Sequence, residues 1–358
     1  MKIFGKDIKR KELLKIIGDI SQLGGAKTYE YTDGMSRGIR AIDVKTICGI
    51  DFTVLIDRAL DISNLSYKSI PISWKSATKE TSPIYYESQG TEWFRTFYGG
   101  LLVTCGLSHM GAPCSDGGEE LGLHGRISNI SAEKVSVGEK WVKDNYIIWI
   151  EGTVREAKVF GSKIVLHRKI STWMDCPRIL IEDTIENIGF EKTPVMVLYH
   201  INIGYPLLDN GSRILEPKTK VLYEVDFKRK IPKNFLSFSK PIIGFQEECY
   251  YHDIEPDEKG NVNIALVNEG FNSNQGLGLW LKYKKNNLPF LVHWKQQGAG
   301  EYVCGLNPGN SLSRGREIER NENTLVNFQP GEKKQYKLEF NMLSSNKEIE
   351  VFKKNYCK

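Results

Sequence analysis

Residues 146–187 decide the fold class, and they read YIIWIEGTVREAKVFGSKIVLHRKISTWMDCPRILIEDTIEN. Three stretches of this segment, residues 146–154, 163–172 and 178–187, are rich in β-branched and aromatic side chains and are bounded by turn residues. The first of them begins as a continuous apolar run, which predicts a central strand buried on both faces.

The same pattern continues along most of the chain. Further predicted strands are residues 38–44, 52–56, 100–106, 194–203, 262–267, 277–283, 289–295, 302–306 and 335–343. At least twelve strands without intervening helices indicate stacked antiparallel sheets rather than alternating strands and helices. The sequence therefore predicts an all-β fold.

One helix is predicted, near the N-terminus. Leucines and isoleucines recur close to the helical period over residues 7–17, and Asp7 can cap them. After Gly18 the helical signal nearly vanishes. The lysine-bearing stretch at residues 228–240 is interpreted as a solvated excursion between strands.

Composition narrows the classes of function. The chain has 358 residues, and 49 Lys and Arg against 44 Asp and Glu give a formal charge of +5. That charge is spread along the chain, so no nucleic-acid partner is expected. No run of 18 apolar residues occurs, so no membrane partner is expected either. The seven cysteines form no CxxC pair, and the N-terminal segment lacks a signal-peptide core, so a cytoplasmic location is expected. We also expect a monomer or a homodimer.

Histidine is the natural first candidate for acid/base chemistry near neutral pH. His124 lies in the segment GLHGRISN, residues 122–129. If this segment is extended, His124, Arg126 and Ser128 share one face, and together they suit a polyhydroxylated ligand. The alternative is a loop histidine that satisfies backbone groups.

His200 lies in a strongly apolar predicted strand, where it shares a face with Asn202. Two polar side chains on one face near the end of a strand suggest a cleft. The alternative is a core histidine paired with a neighbouring strand.

Other side chains are candidates for sugar contacts. Arg58 and Asp61, in DRALDI, could bind vicinal hydroxyls or a carboxylate, although a structural ion pair explains them equally well. Trp294 and Lys295, together with Trp74, could stack against and bind a sugar face. Arg126, Arg314 and Arg316 could bind a phosphate, a carboxylate or hydroxyls.

Several motifs taken together resemble the aldose 1-epimerase (galactose mutarotase-like) superfamily, in its bacterial branch of undefined function. The matching stretches are GDISQLGG (18–25), DRALDI (57–62), YGGLLVTCGL (98–107), the His124 segment, YHINIG (199–204) and LNP (306–308). The resemblance implies one β-supersandwich domain over residues 1–358, with residues 1–25 as an N-terminal helical extension packed on it, and an open sugar cleft.

The resemblance also implies roles for individual residues. His200 takes the place of the histidine acid that protonates the ring oxygen, and His124 with Arg126 takes the place of the sugar-positioning pair. The family's glutamate base is replaced by Asn307, and an amide cannot accept and return a proton. Glu317 is the candidate for a substitute base, with a solvated charge as its alternative.

Two functions follow from these observations. The first is a carbohydrate-active enzyme, an aldose 1-epimerase-like isomerase that uses histidine acid/base chemistry on a sugar, which could be phosphorylated or acidic. The second is a non-catalytic sugar-binding or sensing protein that has lost the base. A divalent metal held by His124, His200 and a carboxylate is a third alternative, but no HxH or HExxH spacing supports it, so no metal or cofactor is expected.

Overall fold

The structure is a computed structural model, and it describes residues 1–3, 5–223 and 230–357. The strands are β1 (Lys2–Ile3), β2 (Lys6–Asp7), β3 (Gly25–Glu30), β4 (Arg40–Lys45), β5 (Ile50–Leu55), β6 (Asp61–Tyr67), β7 (Ile70–Pro71), β8 (Val103–Leu107), β9 (Cys114–Asp116), β10 (Glu119–Leu121), β11 (Glu133–Val142), β12 (Asn145–Ala157), β13 (Lys163–Trp173), β14 (Cys176–Asn187), β15 (Thr193–Pro194), β16 (Met196–His200), β17 (Asn202–Ile203), β18 (Arg213–Leu215), β19 (Thr219–Tyr223), β20 (Glu248–Ile254), β21 (Asn261–Asn268), β22 (Leu277–Lys284), β23 (Phe290–Gly298), β24 (Glu301–Gly309), β25 (Asn327–Phe328) and β26 (Lys333–Leu343). The α-helices are α1 (Arg10–Leu13), α2 (Phe271–Asn274), α3 (Arg316–Asn321) and α4 (Asn346–Tyr356).

Three antiparallel sheets form the body of the protein. The largest has eight strands in the order β11-β12-β13-β14-β26-β22-β21-β18. The second runs β19-β20-β23-β24-β16-β8, with β17 also paired to β24, and the third contains β3 to β7 in sequence order. The predicted all-β architecture of stacked antiparallel sheets is confirmed.

The predicted burial of residues 146–154 on both faces is wrong. In β12 the side chains of Ile148 and Ile150 are buried, whereas Ile147 and Trp149 remain partly exposed. The strand lies second from the sheet edge, and the ammonium groups of Lys140 and Lys169 stand over the Trp149 ring at 5.3 and 5.2 Å. Lysine stems cover the outer face here, so an apolar residue on that face does not require a second layer of protein.

The predicted N-terminal helix is much shorter than residues 7–17, and the segment is not mainly helical. Asp7 lies in β2, which pairs with β1 as a small hairpin, and α1 spans only Arg10–Leu13. Leu13 and Ile17 are buried in the main core cluster, so packing decides the conformation of this short segment.

A C-terminal helix was not predicted. α4 begins after Ser345, whose side chain accepts a hydrogen bond from the Glu348 amide, and Ile349 and Phe352 are buried. The Ser-x-x-Glu pattern at residues 345–348 was the available signal for this helix start. Of the predicted excursion at residues 228–240, Lys228 and Arg229 lie outside the described residues, and residues 230–240 form turns and irregular backbone.

A buried charge network joins the three large sheets. Arg168 donates to Asp61 at 2.7 Å and to Asp183 at 2.7 Å, and all three side chains are completely buried. Thr104 and Tyr199 supply further hydrogen bonds to these carboxylates.

In the described part of the chain, no helix is long and apolar enough to cross a membrane.

Candidate active site

His124 is fixed by an unusual backbone. It has a φ of +58°, its amide donates to the Gly111 carbonyl oxygen at 2.9 Å, and its own carbonyl accepts from the Gly106 amide. Gly125 follows with a φ of +73°, and a Cβ there would lie 2.3 Å from the His109 carbonyl oxygen. Only glycine fits at residue 125, so the tight turn that presents the His124 ring depends on it.

His200 ends β16, and its tautomer follows from Asn202. The Asn202 side-chain nitrogen donates to the His200 carbonyl oxygen at 3.1 Å, which orients the amide because a carbonyl can only accept. Asn202 Oδ1 therefore faces His200 Nδ1, at 2.7 Å. Nδ1 must carry the hydrogen, so in the neutral ring Nε2 is the nitrogen with a free lone pair.

The two histidines meet in one pocket, 76 residues apart in sequence. Their ring centroids are 5.6 Å apart and the rings are nearly perpendicular. They line a cavity of about 270 Å³, which we call the histidine pocket, and its walls include Phe97, Trp294 and Leu198. The Trp93 ring lies 4.8 Å from that of His124, and the rings of Phe97 and Trp294 lie 5.2 and 5.4 Å from that of His200.

Asn307 also lines the histidine pocket. Its Oδ1 accepts from the Ile201 amide at 2.8 Å, at the break between β16 and β17, so the orientation of its amide is fixed as well. Its Nδ2 is buried and has no hydrogen-bond partner among the described residues. A buried donor without a partner is costly, so this nitrogen is available to donate to a hydrogen-bond acceptor of a ligand in the pocket.

One carboxylate in the pocket was missed from the sequence. Glu247 lines the cavity and accepts a hydrogen bond from Trp294 Nε1 at 2.6 Å. It precedes β20 in an irregular segment that carries no recognisable motif, so only the fold brings it beside Trp294. Trp294, which was predicted to contact a sugar, lines this pocket, and its indole is held in place by Glu247.

Arg126 is not beside His124, contrary to the prediction. Residues 122–129 form turns and a short 3₁₀ helix (Ile127–Asn129) instead of a strand, so the period of two does not apply. The Arg126 side chain is exposed and lines a different cavity with Glu156. Ser128 is buried and accepts from Trp93 Nε1.

Arg58 and Asp61 are structural, and neither lines the histidine pocket. Arg58 is fully buried and donates to the carbonyl oxygens of Ser128, Thr81 and Thr96. Asp61 belongs to the Arg168 network. The alternative of a structural ion pair fits Asp61, which pairs with Arg168, whereas Arg58 is held by backbone carbonyl oxygens instead of a carboxylate.

Lys295 and Glu317 are also elsewhere. Lys295 follows Trp294 in β23 and therefore points to the opposite face, where its ammonium donates to the carbonyl oxygens of Asn234, Phe235 and Ser237. Glu317 is exposed in the first turn of α3 and does not line the pocket, although Ser313 of the preceding loop does.

Burial keeps both histidines neutral. It lowers the pKa of His200 to about 4, and it lowers the pKa of His124 well below the ordinary value, with further lowering by the neighbouring His200. Burial has the same effect on the pKa of His109, to about 4, and on that of His293. Four imidazoles are thus uncharged in the folded protein at neutral pH.

We expect the low pKa values of these histidines to make the free energy of unfolding fall steeply in mild acid. Unfolded histidines take up protons near pH 6.5 while the folded ones do not until about pH 4, so unfolding binds protons between these values and is favoured as the pH drops. Each such histidine contributes up to about 1.4 kcal/mol per pH unit in this window. Urea unfolding at pH 4.5 to 7.5 measures the slope, and His109→Gln should reduce it by one proton. A slope unchanged by that substitution would contradict a neutral His109.

No metal centre is evident in the described ranges, where no three His, Cys, Asp or Glu side chains are grouped as ligands.

Known structures share this architecture. A candidate aldose 1-epimerase from Klebsiella pneumoniae superposes with a TM-score of 0.84 over 93% of this chain and 91% of that chain, at 20% identity. A galactose mutarotase-like protein from Clostridium acetobutylicum gives 0.59 over 90% and 99%, at 14% identity. A galactose 1-epimerase from Lactobacillus acidophilus gives 0.54 over 90% and 100%, at 12% identity. The chain therefore has the galactose mutarotase-like fold.

Sequence comparison gives a family without an assigned activity. No curated protein matches the chain. A family model described as a domain of unknown function, DUF4432, matches residues 36–342, which is most of the chain. The protein is therefore a member of the DUF4432 family, built on the galactose mutarotase-like fold.

Proposed function

We propose that this protein is an aldose 1-epimerase-like isomerase that opens and recloses the ring of an aldose in the histidine pocket. The observation that carries the proposal is the pair of neutral histidines in one pocket. Their tautomers differ, so that His200 offers a ligand a lone pair and His124 offers it an N–H. A simple binding site has little need for two titratable rings held in this way.

His200 is the proposed proton acceptor. Asn202 holds the hydrogen on Nδ1, so Nε2 can take the proton of an anomeric hydroxyl. This differs from the acid role that the family resemblance implies for His200, because the resting ring offers a lone pair to the pocket and not a proton.

His124 is the proposed hydrogen-bond donor to the ring oxygen of the sugar. Its Nδ1 is buried without a partner among the described residues, and a buried unpaired N–H is less tolerable than a buried unpaired lone pair. The hydrogen therefore sits on Nε2, and the neutral ring can donate to the sugar ring oxygen. A neutral imidazole acts as an electrophile of this kind in other enzymes.

These two side chains account for the whole reaction: His200 carries the proton, and His124 donates a hydrogen bond. His200 Nε2 takes the O1 proton, the C1–O5 bond breaks to an aldehyde, and the charge that develops on O5 is stabilised by His124 Nε2–H. The imidazolium of His200 then returns its proton to O5. Rotation about C1–C2 and the reverse steps give the other anomer.

Asn307 and Glu247 are proposed to orient the sugar. The unpaired Asn307 Nδ2 would donate to one hydroxyl, and the Glu247 carboxylate would accept from another. An amide at residue 307 also favours the second candidate function, a sugar-binding protein without turnover, because it cannot serve as the base.

One experiment separates the two functions. Anomeric equilibration of neutral aldoses is followed by polarimetry and by exchange NMR at the anomeric proton, with enzyme and with the His167→Asn variant as a control. His167 is half exposed on β13, away from the pocket. Accelerated equilibration supports the isomerase, whereas sugar binding without acceleration supports the binding protein.

Asn202→Asp should move the pH dependence of the reaction. A carboxylate against Nδ1–H stabilises the imidazolium, so the pKa of His200 should rise above about 4. The neutral form is the active one, so the acid limb of the rate profile should shift to higher pH. An unchanged limb would mean that a group other than His200 controls it. Asn310→Asp, also buried but outside the pocket lining, is the matched control.

A further inference from the structure

A second cavity adjoins the histidine pocket. It has a volume of about 420 Å³ and shares Phe94, Phe97, Glu247 and Trp294 with that pocket. Trp74 and Phe245 also line it, and we call it the aromatic cavity. The two cavities are parts of one cleft, with the Trp294 ring at the boundary.

The cleft extends well beyond the histidine pocket. The histidine pocket alone falls just below the range of about 300–1,000 Å³ that is typical of sites for drug-sized ligands, whereas the two cavities together fall well inside it. The Trp294 ring between the two cavities is held in place from two sides. Its Nε1 donates to Glu247, and the Trp74 ring lies edge-on to it at 6.3 Å between centroids.

The chemistry of the aromatic cavity suits a sugar. Aromatic faces are combined with the neutral polar groups of Ser76, Thr78 and Gln296. The Ser76 and Thr78 hydroxyls donate to the Phe97 carbonyl oxygen and Gln296 Oε1 accepts from the Gly298 amide, so the hydroxyl lone pairs and Gln296 Nε2 are the groups that can bind sugar hydroxyls. Phe94 is 47% exposed although it borders both cavities, so a large apolar surface stays open to a ligand.

The charge of the cleft excludes anions. Glu247 and Glu301 are the charged side chains that line it, and no lysine or arginine of the described residues does so. A phosphate or uronate would meet carboxylates without a compensating cation, which is unfavourable.

We propose that the cleft binds the reducing end of a neutral disaccharide or longer glycan, with the reducing unit in the histidine pocket and the next unit in the aromatic cavity. This rests on the proposed function, since the reducing unit is placed by the histidine chemistry. It adds a second sugar subsite and a charge selectivity that the proposed function does not contain.

Ala77→Trp tests the second subsite. Ala77 is exposed and lines the aromatic cavity only, so an indole there fills the cavity without disturbing the core. The probes are glucose, maltose, cellobiose and lactose, all with glucose at the reducing end, measured by titration calorimetry. Ala157→Trp is the matched control, because Ala157 is also exposed but lines neither cavity.

At least one disaccharide should bind about tenfold or more tighter than glucose, and Ala77→Trp should remove that advantage while leaving glucose binding unchanged. Ala157→Trp should change neither. Glucose 6-phosphate should bind more weakly than glucose.

Equal affinities for glucose and all three disaccharides, or an advantage that survives in Ala77→Trp, would overturn the second subsite while leaving the isomerase proposal intact. Tighter binding of glucose 6-phosphate would overturn the charge selectivity. Failure of every sugar to bind would overturn the proposed function, and the second subsite with it.

Discussion

Replacing His200 with asparagine is expected to lower the anomerisation rate of the best sugar by about 10²–10⁴-fold, the usual contribution of acid/base assistance. Asparagine is chosen because its side-chain nitrogen can occupy the position of Nδ1 and still donate to Asn202 Oδ1, at 2.7 Å in the native protein. The substitution thus removes Nε2 and leaves the local hydrogen bond.

Sugar affinity should change little, because the aromatic walls and Asn307 remain. A fall in kcat without a comparable rise in the dissociation constant is the signature of a group that acts in the transition state. The measurement is a full rate and binding comparison of the wild type, His200→Asn and the exposed His167→Asn. Wild-type turnover in His200→Asn would show that another residue takes the proton.

Arg168→Met is expected to cost about 3–5 kcal/mol of the free energy of unfolding. The substitution leaves the carboxylates of Asp61 and Asp183 completely buried without their cation, because Arg168 donates to both. Methionine retains much of the apolar stem, so the loss is one of charge pairing and not of volume.

Urea unfolding monitored by tryptophan fluorescence measures this cost. The control is Arg155→Met, on the neighbouring β12, whose pair with Glu133 is half exposed and should contribute below about 1 kcal/mol. Adding Asp61→Asn and Asp183→Asn to Arg168→Met should recover part of the lost stability, since the unpaired charges are then gone. Equal costs for the two arginines would contradict a structural role for Arg168, and so for Asp61.

The sequence was sufficient for the fold class because strand signals are local. Turn residues and runs of β-branched side chains appear every few residues, and the strands predicted at residues 163–172, 277–283 and 335–343 match β13, β22 and β26 to within three residues at either end. Periodicity could not tell whether an outer strand face meets protein or lysine stems, and β12 was misjudged for that reason.

Individual site residues were harder to predict than strands. His124 and His200 line one pocket with Asn307 and Trp294, as their motifs suggested. Arg58, Asp61, Arg126, Lys295 and Glu317 were selected for their chemistry, their spacing or their place in a matching motif. In the structure their polar groups bind carbonyl oxygens or charged side chains inside the protein, or face solvent. A sequence reports which groups a residue carries but not which of them are already satisfied.

The sequence by itself determined where most of the long strands lie and that His124 and His200 were candidates for the site, since each of these depends on neighbours along the chain. Only the tertiary structure decided that Glu247 stands against Trp294, that Asn307 accepts from the Ile201 amide, and that a second aromatic cavity opens beside the first. The reason is physical: pairing between antiparallel strands far apart in sequence sets these contacts, and the position of a side chain across a sheet depends on register and on backbone turns that no local pattern specifies.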